Sequence, residues 1–178
     1  MTCIVGVVDK KRVYIGGDSA GVSNYDISIR KDPKVFKIGK FIFGCTSSFR
    51  MIQLIRFSFK LPPIEEGGDI FEYMCTKFID ELRKTFKDGG FKEVKDEVES
   101  GGTFLIGYKG RLFQIHNDFQ VEELYDEYAC CGCGESYAKG ALYCIAKDIH
   151  PEVKITKALE AAVYFSGGVR PPFIIENA

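Results

Sequence analysis

From its second residue the chain alternates in the manner of a strand, Thr2-Cys3-Ile4-Val5-Gly6-Val7-Val8. After a four-residue polar turn at Asp9 to Arg12, the apolar run Val13-Tyr14-Ile15 leads into Gly16-Gly17-Asp18. Two such runs across a short polar turn predict a hairpin, which sets Thr2 and Asp18 near one end of a sheet. Lys34 to Ile38 and Phe41 to Thr46, parted by Gly39-Lys40, predict a second hairpin. Ser47 or Ser48 then offers an N-cap for a helix reaching about Phe59, apolar on more than one face and therefore expected to be well buried. Pro62-Pro63 and Gly67-Gly68 break the chain. Asp69 with Glu72 forms a capping-box-like start to a second helix, on which Phe71, Met74, Cys75, Phe78, Ile79, Leu82 and Phe86 recur at helical spacing.

The later pattern repeats this alternation. Asp88 to Ser100 is charged, contains Gly89-Gly90 and reads as a solvated excursion. Thr103 to Tyr108 and Arg111 to His116 flank Lys109-Gly110 as a hairpin, and Tyr128 to Cys133 is a further strand. Helices from about Glu135 to Ala146 and from about Thr156 to Phe165 precede an edge strand at Phe173-Ile174-Ile175. Strands, two helices, strands, two helices and a last strand are buried most simply by two layers of sheet covered by helices on both outer faces.

Composition narrows the function classes. A chain of 178 residues, 46% hydrophobic and 28% charged, fits one domain with a substantial core. With 24 basic against 25 acidic residues the net charge is −1, which leaves no electrostatic footprint for nucleic acid or an anionic membrane. No apolar run reaches bilayer-spanning length and the N-terminus lacks the pattern of a secretory signal, so a cytoplasmic protein is expected. The seven cysteines are odd in number and lie inside apolar or strand-like runs, as reduced, buried thiols do. Cys130, Cys131 and Cys133 crowd together, but a structural zinc site needs four ligands and no second Cys or His pair accompanies them.

The candidate chemistry begins at Thr2. Once the initiator Met is removed, Thr2 carries a free α-amine, and a threonine in that position is a nucleophile with its own base attached. The α-amine has an ordinary pKa of about 7.7 to 8.0, so a nearby ammonium can make it neutral and competent near pH 7. Singly, each candidate has an ordinary reading: Thr at position 2 is common, Asp after Gly-Gly is a turn residue, and most lysines are solvated.

Their spacing carries a resemblance. Thr2-Cys3-Ile4-Val5-Gly6-Val7, Gly16-Gly17-Asp18-Ser19 with Asp18 sixteen residues after Thr2, and Lys34-Val35 sixteen residues after Asp18 resemble a proteasome β subunit. The chain is more similar to the short bacterial proteasome-like peptidases than to the longer archaeal or eukaryotic subunits. The likeness continues through Gly102-Thr103-Phe104-Leu105-Ile106-Gly107-Tyr108 and Gly132-Cys133-Gly134 to the late helix and final strand.

The resemblance implies an α+β fold, the four-layer αββα sandwich of the N-terminal nucleophile hydrolases, as one domain over residues 1–178. It implies Thr2 as nucleophile, Lys34 as the charge beside the amine, and Asp18 as the carboxylate that keeps Lys34 charged and oriented. It implies the Ser47 backbone N–H as oxyanion donor, with Ser19 and Cys133 in support. Three departures stand out: the family usually has glycine at position 47 and serine at position 133. Its longer members also carry an Asp in the loop that here reads Ser166-Gly167-Gly168-Val169. The implied activity is cleavage of amide bonds, in peptide or protein substrates, by a threonine-type hydrolase with no metal or organic cofactor. Closed homo-oligomeric rings built through the early helices are also implied, with an ATP-dependent unfoldase left open as a partner. A non-catalytic shell subunit of the same fold and a small-molecule amidase remain as alternatives.

Overall fold

The computed structural model describes residues 1–95 and 98–178; Asp96 and Glu97, in the charged excursion, lie outside the described residues. β1 (Cys3–Asp9) and β2 (Arg12–Gly17) form the first hairpin with Asp9 paired to Arg12, so the turn itself is Lys10-Lys11, both at positive φ. β12 (Tyr128–Gly132) adds to the free side of β1 and β13 (Ile174–Asn177) to that of β2, giving the order β12-β1-β2-β13. The second sheet runs β11-β10-β9-β6-β5, from β5 (Val35–Ile38), β6 (Phe41–Cys45), β9 (Phe104–Tyr108), β10 (Arg111–Ile115) and β11 (Val121–Glu123). Every pairing described is antiparallel.

Strand periodicity separates three cores. On β1, Cys3, Val5 and Val7 face α4 (Glu135–Cys144) and α5 (Pro151–Phe165), while Ile4 points between the sheets. On the second sheet, Phe41, Phe43, Phe104, Ile106 and Phe113 face the other helical layer, whereas Ile42, Leu105 and Leu112 point inward toward Ile4, Val13 and Ile15. That helical layer comprises α1 (Phe49–Phe57), α2 (Ile70–Tyr73), a π-helical turn (Met74–Phe78) and α3 (Ile79–Asp88). The result is a four-layer αββα sandwich with its aromatic mass under α1 to α3, where each fully buried Phe contributes roughly 1.5–3 kcal/mol. The inner layer is filled by Val, Ile, Leu, Ala and Cys.

Several elements depart from the sequence reading for local reasons. The π-helical turn rotates the second helix, so Tyr73, Met74, Phe78, Ile79, Leu82 and Phe86 are buried while Phe71 and Cys75 are exposed. α5 begins at Pro151 rather than near Thr156, because proline at the first helical position loses no intrahelical bond. The short hairpins β3 (Ala20–Ser23) with β4 (Asp26–Ile29), and β7 (Glu93–Lys95) with β8 (Val98–Ser100), together with β11, come from segments too short or too polar to show alternation. The caps at Ser48 and Asp69 are present: Ser48 Oγ accepts from Arg50 N at 3.1 Å and Asp69 Oδ1 from Glu72 N at 2.9 Å.

Candidate active site

One end of the sandwich gathers the start of β1, the approach to β5, the ends of β6 and β12, and the loop after α5. Register sets this meeting: Cys3 pairs with Gly132 and Ile4 with Gly17, so Thr2, Asp18 and Cys133 emerge from neighbouring strands at the same level. Gly132 has φ +99°, and a Cβ there would collide with the Thr2 carbonyl oxygen, so only glycine lets β12 pass so close to residue 2.

Asp18 and Lys34 form a buried ion pair. They are 1% and 2% exposed, and Lys34 Nζ donates to Asp18 Oδ1 at 2.8 Å. The carboxylate is over-determined: Oδ1 also accepts from Cys3 N at 3.0 Å, and Oδ2 from Ala20 N at 2.9 Å and Arg170 N at 3.2 Å. Four donors on one carboxylate fix its orientation and therefore that of the ammonium. Burial pushes Lys34 below the ordinary lysine range, and the charge and hydrogen bond of Asp18 oppose that drift. The ring of Phe49 lies 5.8 Å from Nζ and also stacks under the Arg30 guanidinium at 3.8 Å.

Thr2 is buried next to Cys3, whose N–H binds the Asp18 carboxylate. Its N–H donates to Cys133 Sγ at 3.2 Å, its hydroxyl donates to the Met1 carbonyl, and its own carbonyl accepts from Gly134 N at 3.3 Å. With Met1 attached the Thr2 nitrogen is an amide and cannot act as a base. A cleft of about 390 Å³ opens beside Thr2, lined by Met1, Thr46, Ser47, Thr103, Gly132, Cys133 and Glu135. A larger cavity of about 530 Å³ sits toward the far end of β1, around Val8, Tyr125 and Lys154, and holds none of the candidate residues.

Ser47 occupies the left-handed region at φ +62°, the conformation that favours the glycine its relatives in the resemblance usually carry. Its side chain secures that conformation: Ser47 Oγ accepts from Thr103 N at 3.0 Å, and the Thr46 hydroxyl donates to the Thr103 carbonyl at 2.6 Å. The N-cap of α1 is Ser48, so Ser47 is left to line the cleft. Ser19 turns elsewhere. Its hydroxyl donates to the Pro172 carbonyl at 2.7 Å and its N–H to the Arg170 carbonyl at 2.9 Å, tying the loop after α5 to the Asp18 turn.

Sequence reasoning missed two participants. Ser166 lies 3.5 Å from Cys133 Sγ, but Ser-Gly-Gly after a helix has the composition of a plain turn. Arg170 acts on Asp18 through its backbone, which no side-chain pattern announces. Among the described residues no group of three or more His, Cys, Asp or Glu is arranged to hold a metal ion, and no helix is long and apolar enough to cross a membrane.

Two antiparallel sheets between two helical layers make the proteasome-like αββα fold. Solved structures share it along their lengths. BPH of Thiobacillus denitrificans in complex with epoxomicin superposes at TM-score 0.83 and 18% identity, covering 99% of this chain and 98% of that one. The eukaryotic HslV of Trypanosoma brucei does so at 0.70 and 15% identity, covering 99% and 98%. Anbu, the ancestral beta-subunit from Yersinia bercovieri, does so at 0.68 and 14% identity, covering 99% and 81%. No protein-family model and no curated protein matches the sequence.

Proposed function

We propose that the chain is an N-terminal-threonine amide hydrolase, a threonine-type endopeptidase that works through an acyl-enzyme on Thr2 after Met1 is removed. The observation that carries this reading is the buried Asp18–Lys34 pair, bound by the N–H of Cys3, the residue after Thr2. Thr2 Oγ1 attacks the amide carbon and its proton passes to the α-amine. The carbonyl electrons move onto oxygen, where the Ser47 N–H stabilises the developing charge. Collapse expels the leaving amine, which takes the proton back from the α-amine, and water then hydrolyses the ester by the same route. Lys34 lowers the amine's affinity for a proton by its charge, and Asp18 holds that charge in place.

The proposal includes a peptide or protein substrate, a cytoplasmic location, a closed homo-oligomeric ring that shelters the sites, and an ATP-dependent unfoldase as a candidate partner. BPH of Thiobacillus denitrificans is the relative in fold with epoxomicin bound, which makes that epoxyketone the natural probe. The processed protein should gain the mass of one epoxomicin at Thr2, and Thr2→Ala should abolish the addition. Equal labelling of Thr2→Ala would overturn the assignment.

A second reading is a non-catalytic shell subunit of the same fold, which a chain that keeps Met1 would be, because its Thr2 nitrogen stays an amide and supplies no base. Intact mass of the protein from its own host separates the two.

A further inference from the structure

The cavity of about 530 Å³ at the far end of β1 is lined by charges of both signs. Val7 pairs with Tyr128 and the Val8 N–H donates to the Glu127 carbonyl at 2.7 Å, so the approach to β12 runs beside the exit of β1. That segment brings Tyr125, Asp126 and Glu127 to the cavity. α4 ends where Ile145 turns to extended backbone, and the chain beyond it is pinned to α5 by Lys154 Nζ, which donates to the Lys147 carbonyl at 2.7 Å. Tyr143, Lys147 and Lys154 line the cavity from this side, over apolar surface from Val7, Val8, Leu142 and Ile145.

The charges have no partners of their own. Among the described residues none of Asp126, Glu127, Lys147 and Lys154 forms a salt bridge. Lys154 is half-buried and spends one of its N–H donors on Lys147, which leaves two for a ligand. Tyr125 and Tyr143 are exposed, with their rings open to a ligand. A purely anionic ligand would meet Asp126 and Glu127, and a purely cationic one Lys147 and Lys154. A neutral apolar ligand would strip water from all four without pairing any. A ligand with both charges around an apolar body satisfies both sides. Because the two sides do not pair with each other, its charges must lie further apart than the single carbon between the termini of a free amino acid. Each added residue extends that reach by about 3.3–3.6 Å.

We propose that this cavity binds a short peptide with free termini and apolar side chains, its carboxylate on Lys154 and Lys147 and its ammonium on Asp126 and Glu127. The volume falls in the roughly 300–1,000 Å³ range of small-ligand sites. Thr2 lies about 20 Å away along β1, at about 3.3 Å per residue, so the site is separate from the Thr2 cleft and stands without the hydrolase reading.

The test is calorimetric titration of the full-length Thr2→Ala protein, which forms no acyl-enzyme, with the dipeptide Leu-Phe. N-acetyl-Leu-Phe lacks the ammonium, Leu-Phe amide lacks the carboxylate, and phenylalanine lacks the length. Each should bind about tenfold more weakly than Leu-Phe, the scale of one charge-assisted hydrogen bond. Lys154→Gln, which keeps an N–H donor for the Lys147 carbonyl, should weaken Leu-Phe by a similar factor and leave the amide unmoved. Asp126→Asn with Glu127→Gln should weaken Leu-Phe and leave the N-acetyl form unmoved. Absence of binding at millimolar Leu-Phe, or equal binding of any of the three analogues, overturns the proposal. So does Leu-Phe binding untouched by these substitutions, or a Lys154→Gln loss that is the same for Leu-Phe and its amide.

Discussion

Burial disfavours the charge on Lys34 and Asp18 favours it, so its chemistry and its stability both run through Asp18. Removing one partner of a buried pair leaves an uncompensated charge, and Asp18→Ala should cost about 3–5 kcal/mol in urea denaturation. Lys34→Ala removes the charge beside the amine and should lower kcat at least about a hundredfold, the scale of acid–base assistance; the fold survives because three backbone N–H groups still hold the Asp18 carboxylate. Near-native turnover in that variant would return Lys34 to a structural role. The pH profile has a definite sign. Activity should rise with pH as the Thr2 amine loses its proton and fall again as Lys34 loses its own. Burial lowers the Lys34 pKa, so the alkaline limb should fall below the ordinary lysine value of about 10.4. Asp18 is the influence that raises the Lys34 pKa, so Asp18→Asn should move the alkaline limb to lower pH. A limb that stays fixed or moves upward would break the link between this pair and catalysis.

At the scale of the element, the turn joining β6 to α1 shows how side chains can replace a glycine. Ser47 keeps a left-handed φ of +62° because Thr103 N–H binds its Oγ across the sheet end. A left-handed residue with a Cβ carries a cost of roughly 1–2 kcal/mol that glycine does not. Ser47→Ala keeps that cost and loses the bond, whereas Ser47→Gly loses the bond and sheds the cost. The glycine variant should therefore be more stable than the alanine variant by about 1 kcal/mol in thermal or urea unfolding, the reverse of their usual order. Alanine matching glycine would mean that the turn relaxes out of the left-handed region. This turn also shows what the sequence could reveal. The alternation around Thr2 to Asp18 and Lys34 to Thr46 announced both hairpins, and the layer order followed from counting strands and helices. Phe71 and Cys75 share the helical spacing of Met74, Phe78 and Leu82 yet lie outside the buried face, because a π-helical turn shifts the register by an amount no regular helical period contains. Ser166 and Arg170 stayed hidden because one sits in turn-like composition and the other works through its backbone.

At the scale of the whole molecule, both helical layers leave large aromatics in water. Phe57 at the end of α1 is 74% exposed and Phe71 is partly so, while Tyr137, Tyr164 and Phe165 cluster on α4 and α5 with Tyr137 and Phe165 stacked 5.4 Å apart. Aromatic residues are the side chains most enriched as anchors at protein interfaces. The two patches lie on opposite outer layers and differ in composition. A contact joining unlike surfaces repeats from copy to copy until it closes into a ring or grows as a filament. Assembly through the α1 and α2 side is therefore expected to give a closed homo-oligomer of about six or more subunits, with mass measured by light scattering after size exclusion. Phe57→Asp together with Phe71→Asp places charge in that contact and should lower the mass toward a single chain, while leaving the Thr2 cleft intact because neither residue lines it. A strictly monomeric wild-type protein at micromolar concentration and physiological salt would remove the ring, and with it the enclosure proposed to keep this cleft away from folded proteins.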